Sequence, residues 1–303
     1  MPSGAPQHTQ ALVTLTIGAE FRARWQSLCE PGWRRYADRH GFDIICIDQP
    51  LDSTARAQAR SPAWQKCLIL SQPFAQDYER IVWLDADILI NPASAPNIVM
   101  GVPIDKVGAV SSYGTPSPEL YQVANARNAT YWRARGATVE ADEIPSHYYA
   151  RHGLPQAHHD HVVQTGVLAL SPAHHRDVLE MTYHSYERRA DWDFQHEMPP
   201  LSHELLQRGL VQWIDYRFNV VWLLYAMLYY PFLFQTQHPR ARRRRLARLL
   251  DRQLKVDRLQ DARRACATAA FHNSYFLHFA ASFASATWVD QGVTDWREIR
   301  FAL

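Results

Sequence analysis

The stretch "RIVWLDADILINP", residues 80–92, decides how the rest of the chain is read. It is apolar almost throughout, so it reads as a strand deep in a sheet. Asp85 and Asp87 interrupt it. A buried carboxylate without a partner is costly, and two held close together repel each other. Residues two apart in an extended chain point to the same side, so the two acids converge with small Ala86 between them. A hard divalent ion bound through oxygen resolves the conflict. A salt-bridged acidic turn is the plain alternative.

Outward from this stretch, the first half alternates strands and helices. "ALVTLTIG" (11–18) is a short β-rich run that ends in Gly18. "EFRARWQSLCEPGWRRYADRHG" (20–41) is helical in composition, with a break or kink expected at Pro31-Gly32 and a stop at Gly41. "FDIICID" (42–48) is the next strand. "SPAWQKCLILSQPFA" (61–75) opens with Ser61 as a cap and Pro62 in the first turn of a helix, and Trp64 reads as core. "VGAVSSY" (107–113) adds a strand after the 80–90 run. This β-α-β-α-β order predicts an α/β fold with a mostly parallel, doubly wound sheet covered on both faces. Such sheets bind ligands outside the carboxyl ends of their strands, where "RIVWL" would deliver both acids.

Residues 114–164 are rich in Tyr, His, Asn and Ala without clear periodicity, and predict irregular structure with short helices. "QTGVLALSP" (164–172) predicts a strand, "AHHRDVLEMTYHSYERRA" (173–190) and "PPLSHELLQRGL" (199–210) predict helices, and "VQWIDYRFNVVW" (211–222) predicts an extended segment. Residues 240–270 predict one long basic helix with an apolar stripe of Leu246, Leu249, Leu250, Leu254 and Leu259. "SYFLHFA" (274–280) predicts a late strand.

The bulk numbers narrow the class. At 303 residues, with 47% hydrophobic and 20% charged, the chain is long enough for a sizeable core in one large domain or two small ones. A net charge of +2 argues against a dedicated nucleic-acid binder. The run "RARRRRLARLLDR" (240–252) lacks the interleaved aromatics that stack on bases. Beside the aromatic "WLLYAMLYYPFLF" (222–234) it suggests a face for anionic lipid or a partner subunit, with a solvated helix as the plain reading. The segment 218–234 carries a proline and too many polar aromatics for a spanning helix. Cys29, Cys46, Cys67 and Cys266 form no C-x-x-C pair and read as reduced thiols of a cytoplasmic protein. "MPSGAPQHTQ" (1–10) lacks a signal-peptide pattern and is expected to be a disordered tail.

Three blocks now combine: "RRYADRHGFD" (34–43), "SPAWQKCLIL" (61–70) and "RIVWLDADILIN" (80–91). In this order they resemble the opening half of GT-A glycosyltransferases, and are most similar to glycosyltransferase family 34, the α-galactosyl, α-mannosyl and xylosyl transferases. The late "HFAAS" (278–282) resembles that family's H-F-A-G-C. The resemblance covers residues 12–100 and scattered points up to 280. It implies a single GT-A domain over 11–303 with helical C-terminal additions. Residues 11–112 would form the nucleotide-sugar half, and 113–303 the acceptor half with the basic helix 240–264.

The implied activity is metal-dependent transfer of a hexose or pentose from a nucleotide diphosphate sugar, a UDP-sugar by expectation, with retention. The acceptor would be a glycan, a lipid-linked glycan or another hydroxyl compound. Asp85, Asp87 and His278 would hold Mn²⁺ or Mg²⁺. On the donor side the resemblance implies Thr16, Ile17 and Gly18 at the nucleotide, with Lys66, Asp85 and Ala86 nearby. "QTGV" resembles an acceptor-side N/Q-x-G-V, which implicates Gln164, Thr165 and Gly166. "HEMPPLSHELL" (196–206) takes the place of a D-Q-x-x-L segment, which would bring His196 and Glu197 near the anomeric carbon. Two departures stand out: Ala281 replaces the family's glycine and Ser282 its cysteine.

Other readings compete. Asp85 could be the nucleophile of a haloacid-dehalogenase-type phosphatase, but no later Asp-Asp pair completes that site. The chain could also be a non-catalytic membrane-surface protein on a degenerate transferase fold. His158, His159, Asp160 and His161 cluster, but their spacing does not fit a zinc hydrolase. Asp191-Trp192-Asp193 follows no strand and reads as a solvated loop.

Overall fold

A computed structural model of the chain describes residues 6–137, 139, 141, 144–155, 160–187, 196–234 and 258–293. His158, His159, the Asp191-Trp192-Asp193 segment and residues 240–257 of the basic run lie outside the described residues, as do residues 1–5 of the expected tail. Gln10 opens the first strand.

The strands are β1 (Gln10–Leu15), β2 (Asp43–Ile47), β3 (Arg80–Leu84), β4 (Ile88–Ile90), β5 (Val107–Ser111), β6 (Val163–Leu170), β7 (Val211–Trp213), β8 (Val220–Val221) and β9 (Phe276–His278). Six of them form the main sheet in the order β2-β1-β3-β6-β5-β7. Neighbouring β2, β1 and β3 are parallel, as are β5 and β7. β6 runs antiparallel to both β3 and β5. The sheet is therefore mostly parallel, with one reversed strand at its centre that the β-α-β pattern did not reveal.

Both faces of the sheet are covered, as the apolar runs require. Val82 and Leu84 of β3 point, with Val167 and Ala169 of β6, into a cluster that includes Trp25, Trp33 and Tyr36. Ile81 and Trp83 point the other way, with Leu168 and Leu170, onto Trp64, Ile69 and Leu179. This two-residue alternation is the ordinary consequence of strand geometry.

The helices mostly fall where the sequence places them. The 20–41 segment splits into Ala19–Leu28 and Glu30–His40 around Cys29, and Gly41 caps the second with a left-handed φ of 72°. Pro31 occupies its first turn, where no donor is lost. Gly32 breaks nothing; a Cβ there would meet the Ile90 carbonyl oxygen at 2.8 Å, so its role is close approach of helix to β4. The Trp33 indole donates to the Ile88 carbonyl at 2.8 Å and fixes the same contact. Pro62–Ser71 is a 3₁₀ run, capped by the Ser61 side chain. Helices Pro172–Ser185 and Met198–Gln207 complete that face.

Three expectations need correction. The run 80–90 is two strands in two sheets: after Leu84 the chain turns, and β4 joins a second sheet of order β4-β9-β8. Residues 114–164 contain a 16-residue helix, Pro118–Arg133, besides the shorter Pro145–Arg151. Leu259, assigned to an apolar stripe, is 46% exposed at the start of helix Arg258–His272.

Candidate active site

The change of sheet is what builds the site. Asp85, Ala86 and Asp87 form the turn between β3 and β4, at the carboxyl end of β3. The Asp85 amide donates to the Gly166 carbonyl at 2.9 Å, and the Phe279 amide donates to the Asp87 carbonyl at 3.0 Å. One end of the turn is thus tied to β6 and the other to the β9 segment. In the second sheet Ile88 pairs with His278, which brings the imidazole alongside the acids.

Each side chain has a fixed partner. Asp85 Oδ1 accepts from Lys66 Nζ at 3.0 Å and from Trp83 Nε1 at 2.8 Å. Its other oxygen lies 3.7 Å from His278 Nε2, and Asp87 Oδ1 lies 3.1 Å from the same nitrogen. One ligand atom from each of Asp85, Asp87 and His278 falls within 4.8 Å of the others. His278 Nδ1 is 2.9 Å from Asn219 Oδ1, which can only accept, so Nδ1 carries a hydrogen. That leaves Nε2 as the nitrogen that meets the acids, as in metal-bound imidazoles held by an outer partner. Two carboxylate oxygens and one imidazole suit Mn²⁺ or Mg²⁺, with open positions toward the cavity.

Gly166 is shaped by this cluster. A Cβ there would meet His278 Cε1 at 2.5 Å and Nδ1 at 2.8 Å. Only a residue without a side chain lets β6 pass so close to the imidazole.

Lys66 holds the second layer. It is 3% exposed and pairs with acids rather than lying on the surface. Its ammonium contacts Asp85 at 3.0 Å and Glu197 at 2.7 Å, and donates to the Thr165 carbonyl at 3.2 Å. Burial works to lower its pKa, but Asp85 and Glu197 outweigh that and raise it, so Lys66 stays charged. Burial likewise opposes ionisation of Asp85, yet Lys66 and His278 hold its pKa below the ordinary value. Burial disfavours a charged His278, while Asp87 and then Asp85 push its pKa up. Glu197 Oε1 also accepts from the Thr165 hydroxyl at 2.9 Å. Asp85 and Glu197 share the Lys66 ammonium while Asp87 meets only the His278 ring, so the site carries an excess of carboxylate that a cation at the three-residue cluster would offset.

The cluster opens into a cavity of about 650 Å³. Asp85, Asp87, His278, Lys66, Gln164, Thr165, His196 and Glu197 all line it. Gln164 Oε1 accepts from the Gly166 amide at 3.1 Å. Ala86 is buried, with its side chain in the core beneath the turn. Thr16, Ile17 and Gly18 are not among the lining residues. The Thr16 hydroxyl pairs with Cys46 Sγ at 3.1 Å, and Gly18 precedes the first helix at φ 97°. Two lining residues have left-handed backbone: His196 at φ 50° and Ala281 at φ 55°. Ala281 is the position where the resembling family carries glycine, the residue that such a φ favours.

Sequence reasoning missed two supports. Trp83 is two residues before Asp85 on the same strand face, a spacing that could have named it. Asn219 ends the 3₁₀ turn Tyr216–Asn219, within a segment the sequence predicted to be extended, and lies 59 residues from His278, so no local signal links them.

Over the whole chain, the architecture matches that of a solved glycosyltransferase involved in the glycosylation of the major capsid of PBCV-1. The match covers 91% of this chain and 96% of that one, with a TM-score of 0.50 and 12% sequence identity. The fold is a GT-A-like glycosyltransferase fold. The apo structure of WbbM, a bifunctional glycosyltransferase, aligns over 73% of this chain and 41% of its own, with a TM-score of 0.48 and 13% identity. No protein-family model and no curated protein matches the sequence. In this GT-A-like fold the acid cluster occupies the carboxyl edge of β3, where open α/β sheets bind their ligands.

Proposed function

We propose that the protein is a metal-dependent glycosyltransferase that moves a sugar from a nucleotide diphosphate donor to a hydroxyl acceptor. The carrying observation is the convergence of Asp85, Asp87 and His278 on the cavity wall within a GT-A-like fold. A UDP-sugar, Mn²⁺ and retention are the finer assignments, and they rest on the sequence resemblance. The catalytic unit is taken as residues 11–303.

Asp85, Asp87 and His278 would hold the ion, whose chemistry is to offset the negative charge that grows on the departing diphosphate. Asn219 keeps the His278 ring oriented. Lys66 fixes Asp85 and Glu197 and adds positive charge near the diphosphate. In the transfer, the bond between C1 of the sugar and the phosphate oxygen breaks with its electron pair on the diphosphate. A bond forms between C1 and the acceptor oxygen, and the acceptor proton passes to the departing diphosphate. Glu197 supplies negative charge beside the oxocarbenium-like sugar. Gln164, Thr165 and His196 line the cavity and would orient the acceptor, with Gly166 next to them on β6. Thr16, Ile17 and Gly18 would contact the nucleotide from the end of β1.

The phosphatase alternative has less support. Asp85 Oδ1 is already engaged by both Lys66 and Trp83, which leaves it a poor nucleophile. Among the described residues no helix is long and apolar enough to cross a membrane. Peripheral membrane contact through the aromatic 222–234 segment remains part of the proposal, supported by exposed Tyr229 and Phe232.

The test is hydrolysis of UDP- and GDP-sugars with and without Mn²⁺. Metal-dependent turnover is expected, with a fall of about 10³-fold in Asp87→Ala, the order of effect of losing a dominant electrostatic group. Phosphate-ester hydrolysis without nucleotide-sugar binding would overturn the reading.

A further inference from the structure

Besides the acids, the cavity is lined by two helices whose side chains have a different chemistry. Helix Pro118–Arg133 lines it through Tyr121, Ala124, Asn125, Asn128 and Trp132. These positions recur every three or four residues, so one whole helix face meets the cavity. Helix Trp222–Tyr229 contributes a wall of Leu223, Leu224 and Leu228.

That second helix is apolar on two sides. Trp222, Ala226 and Met227 are buried in the protein, whereas the three leucines are only half-buried. Among the described residues, Leu223 and Leu228 pack into none of the three buried clusters. Facing water, such a wall is unfavourable; facing an apolar ligand, it contributes binding energy. A bare sugar needs hydrogen-bond partners around its ring, and leucines offer none. Asn125 and Asn128 supply polar groups on helix Pro118–Arg133.

We infer that this part of the cavity is an acceptor subsite for a hydroxyl compound with an apolar body, seated on Leu223 and Leu228. The inference rests on the transferase reading for the word acceptor, but not for the apolar preference. The apolar body could be an alkyl chain or an aromatic aglycone. Either would cover the leucine wall, while a hydroxyl faces the acid cluster that lines the same cavity.

The experiment is calorimetric titration of the full chain with methyl, hexyl and phenyl β-D-glucoside, with and without UDP and Mn²⁺. Hexyl or phenyl glucoside is expected to bind at least about tenfold more tightly than methyl glucoside, the effect of burying roughly two methylenes. A hexyl preference identifies a chain, and a phenyl preference an aromatic ring. Leu228→Asn alone, and Leu223→Asn with Leu228→Asn, should abolish the preference and leave UDP and Mn²⁺ binding intact. Equal affinities, no glucoside binding, or a preference that survives both variants would overturn the subsite. Failure of the wild-type protein to bind UDP with Mn²⁺ would overturn the transferase reading instead, and the apolar preference is read separately in nucleotide-free protein.

Discussion

The two kinds of wall in the cavity are built on opposite principles. Around the acids the side chains hold one another: Lys66 bridges Asp85 and Glu197, Trp83 holds Asp85, and Asn219 holds His278. These residues come from β3 and the turn after it, from β9, from the 3₁₀ runs Pro62–Ser71 and Tyr216–Asn219, and from the start of helix Met198–Gln207. The other walls are two helices, Pro118–Arg133 and Trp222–Tyr229, joined where Arg127 donates to the carbonyls of Met227 and Leu228 at 2.9 and 3.0 Å. Charge must be positioned closely to be useful and is costly when mispaired. Apolar surface is non-directional, so a wall of leucines tolerates looser placement. The contrast fits a cavity with one wall that does chemistry and another that selects what enters.

The contrast can be broken most severely at Lys66. Lys66→Met removes the charge between two carboxylates and should cost about 3–5 kcal/mol, the usual loss when one member of a buried ion pair is deleted. Urea unfolding measures it; a midpoint within error of wild type would mean that the acid cluster is wetter and looser than described. A smaller effect is expected at Gly166. In Gly166→Ala the new methyl collides with His278, whose ring must move off the acids. Mn²⁺ affinity should fall about 10–100-fold, as when the support of a metal ligand is disturbed. Unchanged Mn²⁺ titration would show that His278 is not a ligand. The smallest effect is a gain. Ala281→Gly relieves a left-handed alanine and should stabilise the fold by about 1 kcal/mol. No shift, or a loss, in thermal unfolding would argue against strain at that position.

How much of this was legible follows the same division. The alternation of strands and helices up to residue 113 is written in apolar runs, caps and turn residues, because a sheet covered on both faces demands them. The convergence of Asp85 and Asp87 was legible for the same reason, although a turn between two sheets, rather than one strand, brings it about. The helix Pro118–Arg133 was not legible. Its Asn125, Asn128 and Trp132 line a cavity beside buried Tyr121 and Ala124, so polar residues interrupt the apolar pattern that identifies an ordinary packed helix. The reversal of β6 was also hidden, since a strand buried on both faces looks alike in either direction.

The family resemblance is what pointed to His278; the sequence by itself determined the strand that ends in two acids, the helix stops, the buried Trp64 and the candidate ligands Asp85 and Asp87. Those follow from local rules: periodicity, capping chemistry and the cost of burying charge. Only the tertiary structure decided that Lys66 is buried between Asp85 and Glu197, that Asn219 orients His278, and that Gly166 is small because an imidazole lies against it. Each of these joins residues far apart in the chain, and long-range packing alone sets which side chains meet.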